Sequence, residues 1–292
     1  MIDYLKTKAW ESGEVKHTYT EKDSILYALG LGIGADPIDE RQLRFVYEKD
    51  LVTLPTMAAV LASPGSWMRD RKELGIDFLK LVHGEQSVTL HKTLPAAGSL
   101  VGSSRVTRIV DKGPGKGAIL HVEKTLRDAA SGDHLATAEQ VLFLRGDGGF
   151  SENGGGDEAA PAAPATPETT PDVSIELPTR ADAALVYRLS GDLNPLHIDP
   201  EIASRAGFAR PILHGLATYG NACHGIVKAF CDYDPRRLTS IRARLTSPVY
   251  PGETLVLECW KLGGNEVAFR ARLKERDVVA LANGRATLSD KV

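Results

Sequence analysis

An acid and a base lie close together in the second half of the chain, with a proline between them. Asp192 and His197 are five residues apart, and Asn194 and Pro195 lie between them. A helix brings together residues four apart and a strand residues two apart, so this spacing suits neither. Pro195 also disfavours helical backbone at Asn194. The two side chains can therefore converge only in a shaped loop, where a carboxylate and an imidazole could hold one water molecule and move its protons near neutral pH.

The residues after this loop predict two helices. Asp199 and Pro200 are typical of an N-cap followed by the first helical position, so a short helix should begin there. A second helix is predicted to begin at Gly215, directly after His214. The first turn of a helix has free backbone N–H groups and the positive end of the helix dipole. Because Gly215 has no side chain, a ligand oxygen could approach its N–H closely, and we expect this amide to act as an oxyanion donor.

These residues belong to a longer pattern. The run from Tyr187 to His197, YRLSGDLNPLH, is followed by Ala203 and by PILHG at 211–215. The pattern resembles the signature of the MaoC-like R-specific enoyl-CoA hydratases, also called hydratase 2, and so long a gapped match is more specific than a short motif. The resemblance extends over most of the chain. It implies an α+β fold of the double hot-dog type, in which antiparallel sheets wrap around a central helix.

The resemblance implies a lyase of fatty acid metabolism, such as β-oxidation, that adds water reversibly to a trans-2-enoyl-CoA and gives the (3R)-hydroxyacyl-CoA. Asp192 and His197 would activate the water and return the proton, and Gly215 N–H would polarise the thioester carbonyl. Asn194 would fix the loop or bond near the water. No metal or organic cofactor is expected, because the thioester already makes C3 electrophilic. Taken alone, Asp192 is also typical of a turn residue that bonds to its own backbone.

The resemblance also implies contacts with the CoA thioester from both halves of the chain. In the first half they come from His83 and Gly84, in the HGEQ run, and from Lys112, in the DKG turn. In the second half the candidate residues are Leu193, Pro195, Leu196, His214, Leu245, Arg242 and Arg244. By itself His214 is expected to orient the start of the helix, and Leu245 stands where relatives usually have Phe. The arginines suit CoA phosphates, although solvation at the surface explains them equally well.

Composition argues against several other classes of function. The chain has 292 residues and a formal net charge of −3, so we expect no general attraction to nucleic acid. No run approaches the roughly 20 apolar residues of a membrane span, the N-terminus has no signal-peptide core, and the C-terminus is not an SKL tail. Three cysteines without a CxxC pattern favour a reducing compartment, and eight histidines without HxxxH or HxH spacing do not predict a zinc site. We therefore expect a cytoplasmic enzyme without membrane insertion.

Two halves of similar size are separated by a segment of different composition. Residues 146–171 are rich in Gly, Ala, Pro, Thr and acids and predict a flexible linker. The N-terminal domain, 1–145, is predicted to contain a capped helix ended by Gly30, a short strand at 43–47 and at least four antiparallel strands. It lacks the GDxNPxH motif and should be catalytically empty, and its weak central helix would leave room for a medium- to long-chain acyl group. The C-terminal domain, 172–292, is predicted to have helices followed by four antiparallel strands.

Three other functions suit the same fold. A (3R)-hydroxyacyl-thioester dehydratase acting on acyl carrier protein would use the same residues in reverse and would need a basic docking surface. A hot-dog thioesterase needs a carboxylate on or near the central helix, and residues 216–231 offer only His224 and Lys228. A non-catalytic acyl-CoA-binding protein would not need the acid, the base and the oxyanion donor together. For any of these functions, the resemblance implies a homodimer by analogy.

Overall fold

The structure, a computed structural model, describes residues 2–290 and combines a large antiparallel sheet with a few helices. The strands are β1 (Glu11–Tyr19), β2 (Leu81–Leu90), β3 (Gly98–Asp111), β4 (Ala118–Asp128), β5 (His134–Leu144), β6 (Val173–Pro178), β7 (Leu238–Leu245), β8 (Thr254–Leu262), β9 (Glu266–Leu273) and β10 (Val278–Leu288). The helices are α1 (Tyr4–Lys8), α2 (Glu21–Gly30), α3 (Glu40–Leu43), α4 (Trp67–Asp70), α5 (Ala183–Tyr187), α6 (Pro200–Arg205) and α7 (Gly215–Phe230). Single 3₁₀ turns include Pro55–Ala59, Arg188–Ser190 and Pro195–His197.

The two halves of the chain have the same strand order and meet edge to edge. The described strands form one 10-stranded sheet in the order β1-β3-β4-β5-β2-β7-β10-β9-β8-β6. The seam is the antiparallel pair β2 and β7, from Glu85 opposite Arg244 to Thr89 opposite Ser240. Each half is therefore one copy of the same five-stranded unit. Two antiparallel strands are related by a local two-fold axis, and here that axis, at the β2–β7 seam, relates the two units.

The second half wraps its sheet around α7. The helix packs against β2, β6, β7 and β10, and every residue from Ala217 to Val227 is buried. On β7 the residues that face the helix, Ile241 and Ala243, are also buried and alternate with exposed ones. A helix that is buried on every side over eleven consecutive residues lies inside the sheet rather than on its surface, so α7 forms the centre of the core.

The first half has a short turn where the second half has α7. Between β1 and β2, the buried 3₁₀ turn Pro55–Ala59 packs against α7 and β2. The buried side chain of Lys124 donates from Nζ to the carbonyl oxygens of Ala59 at 2.8 Å and Leu61 at 2.6 Å. These bonds satisfy carbonyl groups at the end of the turn, which no longer helix follows. The weak helical pattern of this region therefore corresponds to a single turn.

One strand predicted in the first half is wrong. Residues 43–47 are not a strand: α3 covers Glu40–Leu43 and a turn follows it. Asp39 caps this helix, because its Oδ1 accepts the N–H of Arg41 at 3.1 Å, and its Oδ2 accepts the side-chain amide of Gln42 at 2.9 Å. Local capping therefore outweighs the short apolar alternation. The four strands expected before residue 145 are present as β2, β3, β4 and β5, and those expected near the C-terminus as β7, β8, β9 and β10.

The start of the predicted linker packs against the first half. Phe150 is buried, and the Asp157 carboxylate accepts hydrogen bonds from Tyr4 Oη at 3.1 Å, Lys8 Nζ at 2.6 Å and the N–H of Ile109 at 2.7 Å. The domain boundaries at 145 and 171, and the flexibility between them, stay predictions. Among residues 2–290, none of the helices combines the length and apolar character that crossing a membrane requires.

Candidate active site

The loop after α5 brings the acid and the base to face each other. Asp192 Oδ2 lies 3.9 Å from His197 Nε2. Gly191, with φ 118°, ends the turn after α5 in a left-handed conformation, and Pro195 opens the 3₁₀ turn that carries His197 inward. The His197 side chain is 9% exposed and that of Asp192 is 48% exposed. The separation is too long for a direct hydrogen bond and suits two groups that share a water molecule.

Asp192 also has the turn role that its context suggests. Its Oδ1 accepts the N–H of Asn194 at 3.1 Å, and Asn194 Oδ1 accepts the N–H of Leu196 at 3.1 Å. These two consecutive side-chain-to-backbone bonds fix the loop. The turn role and the catalytic role are therefore compatible, because they use different carboxylate oxygens of Asp192. The side-chain oxygen of Asn194 is used by the loop itself.

The backbone around His197 decides which of its ring nitrogens is free. His197 Nδ1 lies 2.8 Å from the carbonyl oxygen of Ile212. Since a carbonyl oxygen only accepts, Nδ1 carries the proton and Nε2, on the side of Asp192, is left as the acceptor. Burial lowers the pKa of His197 below its usual value, and the Ile212 carbonyl and the Asp192 carboxylate oppose this shift. The imidazole is therefore neutral near pH 7 and able to take a proton from water.

His214 lies behind the pair and supports it. Its Nε2 donates to the backbone carbonyl of Asp192 at 3.1 Å, and its ring stacks on that of His197 at a centroid distance of 3.7 Å. The Tyr187 ring lies 5.0 Å from the His214 ring. Burial and the neighbouring His197 lower the pKa of His214 to about 4, so this ring is also neutral. The structure thus gives His214 a role in orienting the loop, while its predicted contact with substrate stays a prediction.

The candidate oxyanion donor is the first residue of α7. The N–H of Gly215 has no acceptor within the helix, because the first four amides of a helix lack one. Leu245 fills the space that a side chain at position 215 would occupy. Glycine is therefore required here for the packing of Leu245 as well as for access to the amide.

The first half of the chain reaches this site through the start of β2. Burial lowers the pKa of His83 to about 4, and the hydrogen bond to Glu85 and the charge of Asp192 oppose this shift. His83 Nε2 donates to the carbonyl oxygen of Glu85 at 3.0 Å. Gly84 lies where the β2–β5 register shifts, and a Cβ there would be 3.1 Å from the carbonyl oxygen of Val141. Glu85 pairs with Arg244, next to Leu245, which packs against Gly215, so the start of β2 lies beside the start of α7.

Three of the predicted CoA contacts lie outside this cluster. Lys112 is exposed in the turn after β3. Arg242 and Arg244 are exposed on β7 and alternate with the buried Ile241 and Ala243. Because successive residues of a strand point to opposite faces, the two arginines face away from α7. Their contact with CoA stays a prediction.

Several apolar side chains in and near the loop are exposed. Leu193 is 60% exposed, and the nearby Leu185 and Leu189 are 56% and 57% exposed. Pro195 is exposed and Leu196 is partly buried. Exposed large apolar side chains are available for contact with a ligand or another protein. The loop residues Leu193, Pro195 and Leu196 are thus available to a substrate.

A helix from the first half packs against the segment that leads into the Asp192 loop. α2 packs against α5 and against the turn Arg188–Ser190. Gly30, at the end of α2, lies so close to the loop that a Cβ there would be 3.0 Å from Tyr187 Cα. The ring centroids of Tyr27 and Tyr187 are 5.7 Å apart, and the Tyr187 ring also contacts the ring of His214. Sequence reasoning assigned Gly30 only to the end of a helix, because nothing in the sequence signals a contact between such distant segments.

A metal ion fits this cluster poorly. Asp192, His197 and His214 have ligand atoms within 4.8 Å of one another. The two imidazole planes are stacked at 26°, so their lone pairs run side by side instead of converging on one ion. His214 Nε2 is also occupied as a donor to Asp192. Tetrahedral zinc coordination needs converging lone pairs, so the arrangement is better suited to acid–base chemistry.

Comparison with known proteins covers both halves of the chain. Residues 162–283 match the model of the MaoC like domain, and residues 17–146 match that of the MFE-2 hydratase 2 N-terminal domain. The chain is 38% identical over 295 residues to the probable enoyl-CoA hydratase 2 of Dictyostelium discoideum, which covers 98% of this chain and 97% of that protein. It is 42% identical over 277 residues to the 3-hydroxyacyl-thioester dehydratase Y of Mycobacterium tuberculosis, with 93% and 91% covered.

Solved structures agree with the sequence comparison. The crystal structure of a MaoC-like dehydratase from Phytophthora capsici superposes with a TM-score of 0.86 at 32% identity and covers 100% of both chains. A Mycobacterium tuberculosis protein described as having a double hot-dog fold is similar in fold alone, with a TM-score of 0.55 at 14% identity over 94% of this chain and 93% of that one. These findings confirm both the predicted resemblance and the predicted fold class. The chain belongs to the MaoC-like hydratase 2 family and has its double hot-dog fold.

Proposed function

We propose that this protein is a hydro-lyase that adds water to trans-2-enoyl-CoA thioesters, giving (3R)-hydroxyacyl-CoA, and that it also catalyses the reverse dehydration. The observation that carries the proposal is the 3.9 Å approach of Asp192 Oδ2 to His197 Nε2. The relatives named enoyl-CoA hydratase 2 support the same activity.

The geometry supports a mechanism in three parts. Asp192 Oδ2 and His197 Nε2 hold one water molecule between them, and the thioester carbonyl accepts the N–H of Gly215. As the water oxygen bonds to C3, one member of the pair takes a proton from it, and the electrons of the double bond move toward the carbonyl oxygen. The pair then returns a proton to C2, which completes the addition of water. The amide at the helix start stabilises the negative charge that develops on the carbonyl oxygen.

The acyl group is proposed to be of medium to long chain length. Support comes from the first half, where the turn Pro55–Ala59 stands in place of a long central helix. A ten-carbon enoyl-CoA should therefore have a kcat/KM at least equal to that of crotonyl-CoA. A kcat/KM that falls steadily with chain length would contradict this part of the proposal.

Two further properties are proposed. A homodimer is supported by three exposed leucines in or near the Asp192 loop, Leu185, Leu189 and Leu193, since large exposed apolar side chains are available for contact with a second copy. Residence in the cytoplasm is supported by three cysteines that are free and buried, Cys223, Cys231 and Cys259. A relative from Arabidopsis thaliana is named as peroxisomal, and that compartment is the alternative.

A dehydratase acting on acyl carrier protein is the second candidate. The relative named 3-hydroxyacyl-thioester dehydratase Y favours it, and Arg242 and Arg244 on the outer face of β7 offer a basic surface. Comparing turnover of the same acyl group on CoA and on carrier protein separates the two candidates.

The decisive experiment follows loss of the enoyl thioester absorbance with crotonyl-CoA and the purified protein, with chiral analysis of the product. We expect rapid hydration to the (3R) product. Absence of turnover with both crotonyl-CoA and a ten-carbon enoyl-CoA, or a (3S) product, would contradict the proposed function.

A further inference from the structure

The strand register at the seam relates two distant places on the molecule. The β2–β7 pairs run from Glu85 opposite Arg244 to Thr89 opposite Ser240, and the central pair is Ser87 opposite Arg242. The local two-fold axis of an antiparallel pair passes through its centre. It exchanges Leu90, at the end of β2, with Leu245, at the end of β7. It also exchanges the position of His83 with that of Leu238.

Because both halves have the same strand order, the same two-fold axis relates the whole first half to the whole second half. It therefore locates the place in the first half that corresponds to the candidate active site. That site lies where the end of β7, the start of α7 and the start of β2 meet. Its counterpart must lie where the end of β2, the start of the turn Pro55–Ala59 and the start of β7 meet. This place is at the opposite end of the seam from His83.

A cavity of about 340 Å³ occupies that position. Leu90 from β2, Leu238 and Thr239 from β7, and Thr53 and Pro55 from the turn region all line it. Much of its wall is aliphatic or proline side chain, and its volume lies within the roughly 300–1,000 Å³ range of small-molecule sites. The first half thus has a cavity at the place that corresponds to the candidate active site of the second half.

This cavity has no acid–base pair. Among the described residues that line it, none carries a carboxylate. Its histidine, His91, is already engaged, because Nε2 bonds to Thr137 Oγ1 at 3.0 Å and the ring lies 4.1 Å from that of His134. The cavity can therefore hold a ligand but has no means to add water to it.

We propose that this cavity binds the acyl chain of a second fatty acyl-CoA molecule and does not turn it over. The inference rests on the proposed function, because the occupant is assigned from the symmetry that links the cavity to the acyl-CoA site. Apolar walls suit the chain. At the lining, Lys92 pairs with Asp133 at 2.7 Å, with the two side chains 54% and 45% exposed. So exposed a pair contributes little stability, and a phosphate of CoA can replace the carboxylate.

The test counts binding sites with decanoyl-CoA, which has no double bond to hydrate. Calorimetric titration of the full chain should give two equivalents per chain. Thr93 lines the cavity and is exposed, so Thr93→Trp should close it and reduce the stoichiometry to one. The variant should keep the kcat and KM of the wild type for crotonyl-CoA and the same competitive inhibition constant for decanoyl-CoA. Thr170→Trp, at an exposed threonine outside the cavity, should still bind two equivalents.

The outcomes separate this inference from the proposed function. One equivalent in the wild type, or two in Thr93→Trp, overturns the second site even when crotonyl-CoA is hydrated normally. Two equivalents in the wild type and one in Thr93→Trp, in a protein that hydrates neither crotonyl-CoA nor a ten-carbon enoyl-CoA, support the second site and overturn the hydratase.

Discussion

At the scale of single residues, Asp192 has two carboxylate oxygens with different partners. Oδ1 accepts the N–H of Asn194, and Oδ2 faces His197. An asparagine in its place can keep the first bond and lose the negative charge of the second. This separation makes it possible to remove the chemistry while the loop stays folded.

Asp192→Asn should lower the hydration of crotonyl-CoA by about 10²–10⁴-fold, the range typical of acid–base catalysis. The enoyl absorbance assay measures this effect, and circular dichroism should show an unchanged fold. Asp199→Asn is the matched control, because Asp199 caps α6 through the N–H groups of Glu201 and Ile202 and asparagine caps as well. A near-normal rate for Asp192→Asn would remove Asp192 from the mechanism.

The pH profile should report the buried imidazole. Burial lowers the pKa of His197 below 6.5, and the neutral form is the one that accepts a proton. The kcat/KM should therefore stay constant as the pH is lowered to 7 and fall only below pH 6.5.

His214→Gln can still donate to the Asp192 carbonyl but loses the ring that buries His197. In this variant the pKa of His197 should rise, so the fall of kcat/KM at acidic pH should begin at a higher pH. A pH profile that is the same as that of the wild type would contradict the conclusion that His214 helps to bury His197.

At the scale of elements, α2 packs against the segment that leads to the Asp192 loop although it belongs to the other half of the chain. Its last residue, Gly30, touches the backbone of Tyr187. The Tyr187 ring meets His214, and His214 bonds to the backbone of Asp192. A small displacement of α2 is therefore passed to the acid.

Gly30→Ala should push Tyr187 away, because the new Cβ would lie 3.0 Å from its Cα and a backbone atom cannot yield easily. A misplacement near 1 Å can cost about 10²-fold in rate, so we expect kcat to fall at least tenfold with a smaller change in KM. Gly263→Ala is the matched control, since a Cβ at that glycine meets nothing within 4 Å. Equal kcat values for the two variants would show that α2 does not position the loop.

The elements also show what a sequence can predict. The capped start of α2 follows from Thr20 and Asp23, because such signals are local. The strands of both halves and α7 follow from periodicity for the same reason. The support of the loop by Gly30, the engagement of His214 and the register of the seam depend on segments far apart in the chain. No local pattern encodes them, and the strand predicted at 43–47 fails because it competes with a helix cap at Asp39.

At the scale of the whole molecule, three exposed leucines lie beside the catalytic loop. If they form the homodimer contact, Leu189→Glu should convert the dimer to a monomer in size-exclusion chromatography with light scattering, because a charge would be buried at the interface. Leu79→Glu is the matched control, since Leu79 is 94% exposed in the first half and should leave the dimer intact. A wild type that is monomeric would contradict the assignment.

Because the two halves join edge to edge at β2 and β7, changes in either half of the gene should affect the same site. Gly30 is encoded far upstream of the Asp192 loop, yet it packs against Tyr187 at the base of that loop, and His83 is proposed to contact the same substrate. A screen for inactive variants should therefore recover changes from both ends of the gene. Removing the upstream part would not yield a smaller working enzyme, because the remaining piece would expose β7 as an unpaired border prone to self-association.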